Sequence, residues 1–230
     1  MPTVKGVIGV SGAELARYAI FYDSLLHLAT PPLTALIQAR GANIAENRNG
    51  IAERALKMGA EWILYLDDDQ VLAPHTLIDL LARNKDVISG LYVQREAPFT
   101  PLVFDQEDSE GYCLPRLLER GDRGLVSVKA TGAGCMLVAT NVLRAMEEPW
   151  WRLGQITKDG WGDDLNFCHR VREAGFEVWC DLDVVVGHQT NGTLWPKRGE
   201  NGEWSTILVP RSDMIAEWPA AMRSPLVGVA

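Results

Sequence analysis

The chain has 230 residues, 47% of them apolar and 23% charged, and a net charge of −8. This is the composition of a globular protein with one large domain or two small ones. The acidic balance excludes a broad basic footprint for nucleic acid, so a phosphate-bearing ligand would need a local cluster of Arg or Lys, or a metal ion.

The four cysteines (Cys113, Cys135, Cys168, Cys180) form no C-x-x-C pair and read as reduced thiols, with Cys135 and Cys168 in the core. The opening Met1 to Gly6 has no apolar core after Lys5, unlike a signal peptide, and no apolar run reaches bilayer-spanning length. The expectation is a cytoplasmic protein without a transmembrane segment. There is no internal repeat or low-complexity segment.

Val4 to Val10 reads as a first strand. Ser11-Gly-Ala-Glu14 matches a capping box that opens a helix through Leu15, Ala19, Ile20, Tyr22 and Leu26. At Gly9–Gly12 backbone amides can approach a nucleotide, and a tight turn without a ligand reads equally well. Leu33 to Ala39 is the second strand, Arg40 to Asn43 a turn, and Asn43-x-x-Glu46 the cap of a second helix that Gly59 ends. Arg48 and Asn49 lie early in that helix; by spacing alone Arg48 reads as a surface arginine.

Trp62 to Leu66 has the character of a strand buried on both faces, and it runs into Asp67-Asp68-Asp69. Three adjacent carboxylates repel one another. A hard divalent cation, Mn²⁺ or Mg²⁺, would cancel that charge, and strand carboxyl ends are where open α/β sheets bind ligands. A solvated acidic turn leading to the helix near Pro74 is the plainer alternative. Asp86 to Val93 is the next strand. Alternating strands and helices to this point predict an α/β fold with a mixed, mostly parallel Rossmann-like sheet flanked by helices.

From Gln94 to Gly124, Gly, Pro and acidic residues predict loops and short edge strands. Leu125–Ala130 and Cys135–Ala139 read as strands, with Gly132 and Gly134 between them permitting close approach of a ligand, or a bulge. Trp150, Trp151 and Trp161 crowd a loop-rich segment, and at least one is expected to line a site. Asp163 and Asp164 open a helix that ends at Gly175. They cap it, or supply a rigidly held general base, or both. Glu177–Cys180 and Val184–Val186 read as strands before Gly187-His188. Such a histidine is often structural, but with the three acids it can complete a Mn²⁺ site. Asn191 to Gly202, with Lys197 and Arg198, reads as a lid over phosphate or as a plain surface loop. Residues 206–230 read as a C-terminal tail.

These pieces, in this order, resemble a glycosyltransferase of the GT-A fold, close to the large family 2 group. The resemblance covers roughly residues 4–190. Leu66-Asp67-Asp68-Asp69 is similar to the D-x-D signature. Gly162-Asp163-Asp164-Leu165-Asn166-Phe167 is similar to the Gly-Glu-Asp-x-Asp-Phe element, Asn47-Arg48-Asn49 to the helix that touches the nucleotide, and Gly187-His188 to a late metal-binding histidine. Asp163 replaces a usual Glu and Asn166 a usual Asp.

The resemblance implies a single GT-A domain over residues 1–205. A nucleotide-binding half extends to about residue 110, and an acceptor half with its lid extends from about residue 111. It implies transfer, with inversion, from a UDP- or GDP-linked sugar to a glycan or other hydroxyl acceptor. Asp69, His188 and Asp67 would hold the divalent cation. Ser11, Arg40, Arg48, Asp67, Asp68, Lys197 and Arg198 would bind the nucleotide. Gly134, Trp161 and Gly162 would bind sugar or acceptor, and Asp164, with Asp163 second, would act as base. The rival expectations are a nucleotidyltransferase and a non-catalytic carbohydrate-binding domain.

Overall fold

The computed structural model describes residues 4–12, 19–41, 43–157, 160–190 and 192–210. The first half runs β1 (Gly6–Gly12), α1 (Ala19–Leu26), β2 (Thr34–Arg40), α2 (Ile44–Lys57), β3 (Trp62–Asp67), β4 (Gln70–Val71), α3 (Thr76–Ala82) and β5 (Val87–Leu91). The middle holds β6 (Val103–Glu107), β7 (Cys113–Pro115), β8 (Leu125–Val128), β9 (Ala130–Thr131), β10 (Cys135–Ala139) and α4 (Thr140–Ala145). The last part holds β11 (Gly154–Thr157), β12 (Gly160–Gly162), α5 (Asp164–Glu173), β13 (Val178–Val185), β14 (Gly187–Gln189), β15 (Gly192–Arg198) and β16 (Trp204–Pro210).

Seven strands make one sheet in the order β2-β1-β3-β10-β5-β13-β8. Strand β1 runs parallel to β2 and β3, and β5 parallel to β13, while β10 and β8 run against their neighbours. The strands that run together therefore bring Gly12, Arg40, Asp67, Leu91 and Val185 to one edge. Along β3 the side chains alternate between two cores. Ile63 and Tyr65 join α2, α4 and α5, whereas Leu64 and Leu66 join Phe21 of α1 and Leu77 and Leu80 of α3. This is the expected mixed α/β domain, helices on both faces, and no described helix is long and apolar enough to cross a membrane.

Local chemistry explains the elements that position the site. Asn43 caps α2 by accepting from the amides of Ala45 and Glu46 at 3.0 and 3.3 Å, as the cap signature predicts. Helix α2 then lies so close to β1 that a Cβ on Gly9 would stand 2.3 Å from Ile51 Cγ2.

Some expectations are corrected. Ser11 is a strand residue paired with Ala39 and Asp67, not a helix cap; the capping box and the helix start fall partly in 13–18, outside the described residues. The two late strands are one, β13, with Asp181 at its middle buried and bonded to Arg83 Nε at 2.5 Å. The proposed lid is a β-hairpin, β15 with β16, and β16 crosses the expected tail boundary; residues 211–230 lie outside the described residues.

Candidate active site at the carboxyl edge of the sheet

Strand β14 pairs antiparallel with β4, setting His188 opposite Gln70, and the amide of Gln189 donates to the carbonyl of Asp69 at 2.8 Å. This register carries the imidazole to the acids: His188 Nε2 lies 3.5 Å from Asp69 Oδ2. His188 Nδ1 is 2.7 Å from the carbonyl of Val93, which can only accept, so Nδ1 carries a proton. With Nε2 protonated as well, the ring donates to the carboxylate; in the neutral ring Nε2 is a lone pair. Burial alone would raise the pKa of Asp69, but the bond and charge of His188 and the charge of Arg95 lower it below the usual carboxylate value.

Asp67 points elsewhere. Both its oxygens accept from Arg48 Nη2, at 2.8 and 3.0 Å, while Arg48 Nη1 donates to Asp163 Oδ2 at 2.7 Å. Arg48 is buried, and the guanidinium stacks toward Trp151, 5.0 Å from its ring centre. Burial would lower its pKa, yet Asp67, Asp163 and Asp164 more than reverse this. Its neighbours also tie internal parts together. Asn49 donates to the Trp151 carbonyl at 2.8 Å and accepts from its amide at 3.0 Å, and Asn47 reaches the carbonyls of Gly41 and Gly12. The segment expected to touch a nucleotide thus clamps α2 to the ends of β3 and α5.

Asp164 begins α5 beside this clamp. Desolvation pushes its carboxyl up to about 6, against the opposing charge of Arg48 and with the help of Asp163 and Asp67. Its Oδ1 accepts from the Leu165 amide at 2.8 Å. A carboxyl with this pKa is suited to taking a proton near neutral pH.

Tyr92 and Arg95 were not anticipated. The Tyr92 ring meets His188 edge-on with centroids 5.5 Å apart, and its hydroxyl accepts from the Gly134 amide at 2.8 Å. A Cβ on Gly134 would lie 2.9 Å from both that hydroxyl and Gln70 Nε2, so Gly134 is there to admit Tyr92. Both residues follow β5, and the strand-end rule that singled out the three acids points to them too.

The remaining predicted residues are placed as follows. Ser11 Oγ is buried without a hydrogen-bond partner among the described residues, one strand from Asp67. Arg40 is exposed at the same edge, its Nη2 on Gln38 Oε1 at 2.9 Å. Asp68 is half-buried in the turn after β3. Gly162 pairs with Gly154, and the side chain of Trp161 lies outside the described residues. Lys197 is exposed, whereas Arg198 is held by Asp183 Oδ1 at 3.1 Å and by the Asp122 carbonyl. Trp150 and Trp151 are core residues, and Trp151 stacks on Phe167 at 3.8 Å. Asn166 donates to the Arg152 carbonyl at 2.7 Å, a structural use of the position where the resembled motif usually has an Asp.

Among the described residues no three His, Cys, Asp or Glu side chains gather into a metal cage. The protein's own offer is a pair, one carboxylate oxygen and one imidazole nitrogen. Both are good donors for Mn²⁺ or Mg²⁺, which readily complete their shells with phosphate and water. The second ring nitrogen bonded to a carbonyl is the usual support of a ligating histidine. The pair therefore fits such an ion, with Asp67 committed to Arg48.

No family model matches the chain, and no curated protein matches it. Solved structures do. A197 from STIV superposes with a TM-score of 0.57 at 13% identity, over 89% of this chain and 94% of that one. Residues 1–349 of S. aureus TarS align with a TM-score of 0.42 at 10% identity, over 78% of this chain and 61% of that one. The first likeness is one of fold, a mixed α/β domain shared with little sequence in common.

Proposed function

We propose that this protein is a glycosyltransferase that moves a sugar from a nucleoside-diphosphate sugar to an acceptor hydroxyl, with Asp69 and His188 holding a divalent cation. The approach of His188 Nε2 to Asp69 Oδ2 at 3.5 Å carries the reading, because the two residues are far apart in sequence and are gathered at the edge where such sheets bind ligands. The bound cation would supply Lewis-acid stabilisation of the departing diphosphate. Val93 fixes the imidazole, and Gln189 and Gln70 hold Asp69 in place. Asp164 takes the acceptor proton as the acceptor oxygen attacks; the Leu165 amide bonds its Oδ1, and Arg48 ties the adjacent Asp163. Attack from the face opposite the leaving group inverts the anomeric carbon. Ser11, Arg40 and Asp68 line the edge where the nucleotide would lie.

Thermal shift with UDP and GDP, each with and without Mn²⁺, tests this reading. A ligand of the native state alone raises the melting temperature by mass action. The reading predicts a rise with one nucleoside diphosphate that needs Mn²⁺ and is lost in His188→Ala. No rise with either nucleotide under any condition would contradict it. Release of pyrophosphate from a nucleoside triphosphate would point to nucleotidyl transfer instead.

A further inference from the structure

Three acids close β3, and the structure gives two of them different arginines. Asp67 is taken by the buried Arg48. Asp69 faces Arg95, whose Nη1 lies 3.1 Å from Oδ2, the same oxygen that faces His188. Arg95 thus occupies the carboxylate that would bind the cation. The two partners are unequally held: the side chain of Asp69 is 16% exposed and that of Arg95 is 52% exposed. Asp69 is fixed through its own carbonyl by the Gln189 amide and through Oδ1 by Gln70 at 3.3 Å. Arg95 stands in a surface turn closed by Gln94 N to the Thr100 carbonyl at 2.9 Å and by the Val93–Pro101 bridge. Val93, at the foot of that turn, orients the His188 ring.

We propose that Arg95 is the resident counter-ion of Asp69 and a diphosphate-binding residue. It neutralises the carboxylate while no donor is bound, yields it to an arriving divalent cation, and then meets the diphosphate that arrives with that cation. This rests on the sugar-nucleotide reading above. An ion pair with a half-exposed arginine is weak, so a divalent ion can displace it. The freed guanidinium keeps a planar fork that matches two phosphate oxygens. Arg48 and Arg198, by contrast, are committed to Asp67 and Asp163 and to Asp183 and Asp122.

The experiment measures Mn²⁺ binding to the ligand-free protein by electron paramagnetic resonance, and UDP and GDP binding at saturating Mn²⁺ by calorimetry, in wild type, Arg95→Ala and Arg95→Lys. In Arg95→Ala, Mn²⁺ alone should bind about threefold more tightly, because a weak competitor is gone. The nucleoside diphosphate should bind about tenfold more weakly, because a charge-assisted contact is gone. Arg95→Lys, which keeps the charge without the fork, should fall between on both scales. An unchanged melting temperature without ligand controls for folding. Two unchanged affinities, or two that move in the same direction, overturn the role of Arg95 while leaving the Asp69–His188 site standing. Wild type that binds neither Mn²⁺ nor either nucleotide overturns the site and this proposal together.

Discussion

Arg48 Nη1 donates to Asp163 Oδ2 at 2.7 Å, joining a residue of the second helix to the head of the fifth, 115 positions along the chain. The other arm of the same guanidinium holds Asp67 at the end of β3. One buried cation therefore fixes two acids of the two motifs relative to each other, beside Asp164, whose carboxyl burial pushes up and the Arg48 charge pulls down.

Breaking this bridge should be costly. Arg48→Ala leaves Asp67 and Asp163 facing each other without a cation, and loss of one partner from a buried pair destabilises by about 3–5 kcal/mol. Urea denaturation should show the midpoint falling with little change in slope. Arg48→Lys should recover only part of the loss, because one ammonium lacks the fork that reaches both acids.

Asp164 should couple activity to stability with opposite signs. Its folded pKa, about 6, stands above the ordinary carboxyl value of 3.8. The proton is thus bound more tightly in the folded state, and the stability this gives is full below about pH 4 and lost as pH rises through about 6. Asp164→Asn cannot ionise. It should be more stable than wild type at pH 7 by about 1–3 kcal/mol, with the gap closing toward pH 4. Melting curves across that range check the sign: an equal gap at both ends contradicts it.

Tyr92 should act through His188. Gly134→Ala sets a Cβ 2.9 Å from both the Tyr92 hydroxyl and Gln70 Nε2, and such overpacking costs about 1–3 kcal/mol. The displaced ring would disturb the imidazole it packs on, so Mn²⁺ affinity should fall as well. Tyr92→Phe, which loses only the bond from the Gly134 amide, should cost about 1 kcal/mol and leave Mn²⁺ affinity nearly intact.

Much of this site is written locally. A buried-strand run ending in Asp67, Asp68 and Asp69 marks a strand end by composition, and Asn43-x-x-Glu46 marks the start of α2 by cap chemistry. The chemistry of an imidazole beside three acids and the resemblance both suggest the meeting of Asp69 with His188, but neither shows its geometry, which depends on the β4–β14 register across more than a hundred residues. Arg48 reads as a surface residue because spacing cannot show that Asp163 comes to meet it. The β15–β16 hairpin was hidden by its glycines and by Pro196, whose missing N–H is harmless because β14 pairs only as far along as Leu194. Trp150 and Trp151, in a segment rich in loops, are core because Asn49 and Phe167 hold Trp151 and the Leu143 carbonyl holds Trp150.

The most direct measurement is release of nucleoside diphosphate from UDP- and GDP-sugars in the presence of Mn²⁺ and a panel of hydroxyl acceptors, by wild type and Asp164→Asn. Wild type should release one of the two diphosphates, faster with acceptor. Asp164→Asn should be slower by about 10²–10⁴-fold while binding the same nucleotide, as loss of a general base requires. No release of either diphosphate by wild type would contradict sugar transfer, and full activity in Asp164→Asn would contradict the role given to that carboxylate.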